Sequence, residues 1–293
     1  MKVGIVQMPT DSWPATVTRA QELEAMGYEH LWLYDHLTWR HYRDRDWHAT
    51  IPWLSGLALS TSTITLGTMV TSPNFRHPVT LAKEAMSIDH LSDGRFILGV
   101  GTGTGGFDAI ALGDEPITAG QRAGRFEEFV ETLDGLLRGE LTNHQGEWFS
   151  IDEARNLPGC LQQPRLPLAV ASGGPRTRRL ASRFCDVWIT MGDTSGPPES
   201  PDAHITDLAN RMKHFMISCD DLGRDPDALR KLVFVPAATT YPTESLDVFR
   251  RFAEQVGEVG YTDIVIHDCR TDDPVLDFDP ELVPAIAAWA ATT

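Results

Sequence analysis

The stretch RFILGVGTGTGG, residues Arg95–Gly106, runs from an apolar strand into a glycine-rich turn. Gly101, Gly103 and Gly106 stand in the G-x-G-x-x-G arrangement of a dinucleotide-binding turn, which would make the fold an open, doubly wound sheet. Such a turn belongs to the first strand–helix–strand unit and needs an acidic residue about 20 positions on, at the end of the next strand. Here that spacing lands on Glu127 and Glu128, within a helical pattern in which Phe126, Phe129, Leu133, Leu136 and Leu137 share one face and Thr118 and Gln121 form a capping box. The glycines are therefore read as the exit of a strand in another α/β fold, and NAD is set aside.

Working outward from this strand, the same alternation runs in both directions. Upstream lie strand Lys2–Met8, a helix capped by Ser12 and stopped at Gly27, strand His30–Tyr34, helix Trp47–Ser60, strand Ile64–Val70 and helix His77–Leu91. Downstream, a small hairpin insertion over Thr142–Ile151 precedes strand Leu168–Ser172, helix Pro175–Phe184 and strand Val187–Met191. A long helix through Leu208 and Phe215, strand Leu232–Ala237, helix Glu244–Val259, strand Ile264–His267 and a helix through Ile286 and Trp289 complete the series. GYEHLWLYDH, residues 27–36, echoes GYTDIVIHDC, residues 260–269, each a glycine helix stop feeding a strand that ends in polar residues. Eight strand–helix units without a linker-like boundary predict a (β/α)8 TIM barrel forming a single domain over residues 1–293.

The formal net charge of −16 in 293 residues, with no basic stripe, argues against nucleic acid or an anionic membrane as a general partner. The N-terminal apolar stretch is too short for a signal-peptide core, and no apolar run reaches membrane-spanning length. Cys160, Cys185, Cys219 and Cys269 lie too far apart for metal or redox pairs. They are read as reduced packing residues of a cytoplasmic protein. A small-molecule substrate is the expected partner.

A barrel carries its chemistry where its strands exit. Those exits are predicted to gather Asp35 and His36, Thr68, Met69 and Val70, Gly101, Thr102, Gly103 and Thr104, Ser172, Gly173 and Gly174, Thr190, and His267 with Asp268. Asp35-His36 is the sharpest candidate, because imidazole exchanges protons near neutral pH. Ser172-Gly173-Gly174-Pro175-Arg176 opens a helix directly after a strand and offers backbone N–H groups, a hydroxyl and a guanidinium to a phosphate. The loop from His36 to His48 is read as a lid or substrate wall, and its histidines lack the i, i+4 pairing of a metal site.

Taken together, LWLYDHL at 31–37, LGTMVTSPNFRHP at 66–78, IDHLSDGRFILGVGTG at 88–103 and ASGGPRTRRLASRFCDVWIT at 171–190 resemble the luciferase-like monooxygenase superfamily, in particular its branch that uses the deazaflavin coenzyme F420. The resemblance implies a luciferase-like barrel with the tricyclic ring at its mouth, backed by a bulge at Thr68, Met69 and Val70 that often holds a non-prolyl cis peptide. It implies Asp35 and His36 as the catalytic pair, with His36 near the reactive ring carbon and Asp35 on the cofactor. Trp39 is implied as a neighbouring aromatic wall, and Gly173, Gly174 and Arg176, with Thr190, as the phosphate site. Phe107 and Thr104 are expected to face the substrate. Sugar-phosphate dehydrogenases of this branch carry glutamate directly after GVGTG, where this chain has Thr104, so a reductase acting on a C=C or C=N bond is expected instead. A homodimer is implied as well. The alternative is an FMN-dependent monooxygenase on the same fold.

Overall fold

The structure is a computed structural model and describes residues 1–104, 106–193 and 195–293. The quoted stretch forms β4 (Phe96–Val100), fully buried and flanked by parallel neighbours β3 (Thr65–Thr68) and β7 (Leu168–Ala171). Continuous burial is what a parallel strand with helices outside and a packed barrel inside requires. Among the described residues, the strands close in the order β1 (Lys2–Gln7), β10 (Asp263–His267), β9 (Arg230–Phe234), β8 (Val187–Thr190), β7, β4, β3, β2 (His30–Leu33). The expected barrel is therefore present, and the antiparallel hairpin β5 (Leu141–Gln145) with β6 (Ser150–Arg155) stands apart from it as the insertion after the fourth crossover helix.

The helices that cover the strands are α1 (Trp13–Met26), α2 (Thr50–Ser60), α3 (Pro78–Leu91), α5 (Ala119–Arg138), α6 (Pro175–Phe184), α7 (Pro201–Asp220), α8 (Leu246–Val259) and α9 (Leu282–Ala290). Helix α5 carries the expected reciprocal capping box between Thr118 and Gln121 and buries Phe126, Phe129, Val130, Leu133, Leu136 and Leu137. Each such side chain withdrawn from water is worth roughly 1.5–3 kcal/mol, so this face alone fixes the helix on the barrel. The echo between residues 27–36 and 260–269 has a geometric basis: Gly27 and Gly260 both end their helices in the left-handed region, at φ 94° and 108°.

The core divides into two layers. Outward side chains such as Val3, Ile5, Leu31, Leu33, Ile264 and Ile266 pack beneath the helices. Inward ones such as Val6, Trp32, Ile97, Val187, Ile189, Leu232 and Val265 fill the barrel. The period-2 alternation of β2 sends His30, Trp32 and Tyr34 to one side and Leu31 and Leu33 to the other.

Several elements differ from the sequence reading. Helix α2 starts at Thr50 rather than Trp47, because Trp47 donates its indole N–H to the His36 carbonyl at 2.8 Å and His48 stacks on Trp53, which holds both in the loop. β9 lies two residues earlier than expected and ends at Phe234, shortly before Pro236, which has no N–H to donate to a ladder. A short helix absent from the sequence reading, α4 (Phe107–Ala111), lies in the loop after β4.

Candidate active site at the carboxyl end of the barrel

The inward parity of β2 continues past its end. His36 follows His30, Trp32 and Tyr34 on the barrel side, and Asp35 follows Leu31 and Leu33 on the helix side. Adjacent in sequence, the two residues thus face different partners. Both oxygens of buried Asp35 accept from the Arg76 guanidinium, at 3.0 and 2.7 Å, in a bidentate pair. Arg76 comes from the loop between β3 and α3 and also reaches Glu84 at 3.4 Å.

His36 instead meets Asp108 of α4, its Nδ1 lying 2.6 Å from Asp108 Oδ2. The other Asp108 oxygen accepts the backbone N–H groups of Leu37 at 2.7 Å and Thr38 at 3.4 Å. Aromatic rings surround the imidazole: Trp39 stacks at 6.2 Å, Tyr34 presents an edge at 6.3 Å and Trp47 tilts at 6.3 Å. Tyr34 shares a 2.7 Å hydrogen bond with His267 Nε2 inside the barrel. Burial pushes the His267 ring down to about 4, so it is neutral at physiological pH. Asp268, its neighbour, is engaged by Arg19 at 2.9 and 2.7 Å.

The bulge expected at residues 68–70 is present, with a cis peptide between Met69 and Val70. Thr68 acts as its fastener: its hydroxyl donates to the Gly99 carbonyl at 2.7 Å and accepts the Gly99 N–H at 2.9 Å. No other residue fits at position 99, since a Cβ there would sit 1.8 Å from the Thr68 carbonyl oxygen. At Gly101 a Cβ would meet the Val70 side chain at 2.5 Å, so the glycine lets β4 lie against the bulge. Gly103 (φ 70°) turns the chain over Asn74, whose amide donates to the Thr104 carbonyl at 2.7 Å. Thr102 is half-buried and Thr104 exposed, while Phe107 lies beneath the Arg43 guanidinium at 4.9 Å.

At the exits of β7 and β8 the expected residues divide into two sets. Gly173 and Gly174 are open: nothing lies within 4 Å of where a Cβ would stand. The Thr190 hydroxyl is buried and, among the described residues, without a hydrogen-bond partner. Ser172 is turned inward and accepts the Trp188 indole N–H at 2.8 Å. Arg176 folds back along α5 onto Glu127 at 2.5 Å. Two further cations belong to this region, Arg211 and Arg178. Arg211 donates to the Gly173 carbonyl at 3.1 Å, and Arg178 has a buried, unpartnered Nε among the described residues. Burial, with the charge of Arg211, holds the Arg178 guanidinium below its usual range.

The sequence reading missed Asp108 and Arg76. A five-residue helix is too short to show periodicity, and the only local signal for Asp108 was an acidic residue in a first helical turn after glycine. Arg76 is 41 positions from Asp35, and no sequence pattern joins them. Among the described residues, no helix is long and apolar enough to cross a membrane.

Comparison with known proteins bears on the family and the fold. Residues 2–222 match the family model described as luciferase-like monooxygenase. The F420-dependent hydroxymycolic acid dehydrogenase of Mycobacterium tuberculosis is 34% identical over 237 residues, covering 78% of this chain and 60% of that protein. The 4-hydroxyprotoasukamycin monooxygenase of Streptomyces nodosus subsp. asukaensis is 32% identical over 71% of this chain and 54% of its own length. The chain thus spans between half and two thirds of these relatives. An F420-dependent secondary alcohol dehydrogenase, solved with an F420–acetone adduct, superposes with a TM-score of 0.78 at 17% identity, over 97% of this chain and 98% of that one, which is a likeness of fold. With its closed barrel, its bulge after β3 and three quarters of its length within the family model, the chain belongs to the luciferase-like monooxygenase family.

Proposed function

We propose that the barrel is the catalytic unit of a coenzyme F420-dependent oxidoreductase, and that it reduces a C=C or C=N bond of a small organic substrate. The observation that carries this reading is His36, held by Asp108 at the same barrel mouth as an open glycine cradle. When bound, the deazaflavin supplies a carbon that gives or takes hydride. The residues present fit such a group. Gly173, Gly174, Arg178 and the Thr190 hydroxyl offer open backbone, positive charge and a spare donor to its phosphate. The bulge at Met69 and Val70, with Gly101 against it, offers a flat wall to its ring.

His36 manages the proton. Hydride added to one end of a polarised double bond leaves charge at the other, and a protonated His36 Nε2 supplies the proton that neutralises it. Trp39, Trp47 and Tyr34 keep water from that exchange. Thr104 carries no carboxylate to take a proton from an alcohol, which favours reduction over sugar-phosphate oxidation. The reading includes a homodimer, tested by the mass in solution.

The first experiment is a parallel fluorescence and absorbance titration with coenzyme F420 and with FMN, each oxidised and reduced. Selective deazaflavin binding is expected, and His36→Ala should then retain binding while turnover falls by about 10²–10⁴-fold. Selective FMN binding, with oxygen uptake during turnover, would replace this reading with the monooxygenase.

A further inference from the structure

We propose that Asp108 is the positioning residue that makes Nε2 of His36 the proton-exchanging atom, an assignment that rests on the role given to His36 above. Asp108 is on the barrel side of α4 with its side chain 6% exposed, and its two oxygens receive the His36 Nδ1 contact and the backbone N–H groups of Leu37 and Thr38. A carboxylate only accepts, so the 2.6 Å contact requires the hydrogen on Nδ1. A neutral His36 then carries its lone pair on Nε2, and a protonated one has Nε2–H as the hydrogen left to give.

The alternative tautomer would turn the Nδ1 lone pair toward a carboxylate oxygen at 2.6 Å, which is repulsive. Among the described residues no arginine or lysine forms an ion pair with Asp108; Arg76 lies near enough to feel its charge but is bound to Asp35. The same carboxylate clamps the main chain at residues 37 and 38, immediately after His36, so tautomer and ring orientation are set by one group. Trp39 and Tyr34 confine the ring from other sides.

The test has two readouts. In cofactor-free protein with ¹⁵N-labelled histidine, neutral His36 should show a protonated Nδ1 and an unprotonated Nε2, and Asp108→Asn should shift the population toward Nε2–H. An unmodified protein found mainly as the Nε2–H tautomer overturns the assignment without any variant. In the loaded enzyme, Asp108→Asn should lower kcat by about 10²–10⁴-fold while deazaflavin affinity and KM stay within about threefold, and Asp108→Glu should recover part of kcat. If Asp108→Asn retains kcat within threefold while His36→Ala is inactive, this inference fails and the function proposed above stands. If His36→Ala itself turns over normally, that function fails, and the tautomer measurement still decides whether Asp108 sets the ring.

Discussion

Among the described residues, two histidine–aspartate pairs stand at opposite ends of the barrel, and they differ in what they leave free. At the closed end, His30 of β2 and Asp263 of β10 lie 3.0 Å apart with both side chains fully buried. Trp32 donates its indole N–H to His30 Nδ1 at 2.7 Å, so Nε2 carries the hydrogen given to Asp263. Arg230 and the Thr262 hydroxyl complete the carboxylate's partners. Burial alone would raise the Asp263 carboxyl, but the hydrogen bonds from His30 and Arg230 outweigh it and hold it well below the carboxylate range. At the mouth, His36 is partly exposed and, among the described residues, only its Nδ1 is bound, by Asp108. A histidine with both nitrogens spoken for is architecture, and one with a nitrogen held and a nitrogen open is available for proton transfer.

The largest expected effect on stability breaks the closed-end pair. Asp263→Ala leaves the Arg230 guanidinium without its carboxylate and the buried His30 Nε2–H without an acceptor, and should cost about 3–5 kcal/mol in urea unfolding, with turnover per folded molecule unchanged. An equal loss from Asp108→Ala would erase the distinction between the two ends.

A pH series sharpens it. Burial holds His30, His204 and His267 below their ordinary value, so the unfolded chain takes up protons that the folded chain refuses. Stability should therefore fall as the pH drops below about 6.5, by about 1.4 kcal/mol per pH unit for each ring that stays neutral in the folded state. For His267 the fall levels off near 4. Unfolding free energies measured at pH 7.5, 6.5 and 5.5 check the slope, and a flat profile would show these rings protonated in the fold.

The smallest expected effects compare two arginines of α6. Arg178→Ala should weaken deazaflavin binding by about tenfold, in line with one lost charge-assisted contact. Arg176→Ala removes an exposed ion pair with Glu127 and should change stability by less than about 1 kcal/mol and affinity by less than about twofold. The reverse ranking in a fluorescence titration would return Arg176 to the phosphate role that the sequence resemblance implied.

Much of this was legible beforehand because it rests on short-range pattern. Strand and helix periods, the glycine stops at 27 and 260 and the capping box at Thr118 are local, and eight repetitions of one unit leave a closed barrel as the economical way to bury both sheet faces. The barrel in turn put His36 and the glycine turns at the mouth. Site details that depend on which side chain meets which were hidden. Asp35 and His36 read as a pair because they are adjacent, yet strand parity sends one to Arg76 and the other into the barrel. Gly173 and Arg176 read as one phosphate motif, yet the guanidinium leaves the cradle for Glu127.

The amino-acid sequence by itself determined the barrel, the order of its elements and the end at which chemistry is possible, because hydrophobic period and backbone stops act over a few residues. Tertiary structure alone decided which carboxylate holds His36, since Asp108 is 72 positions away and reaches it only when β2 and β4 are built into the same closed sheet.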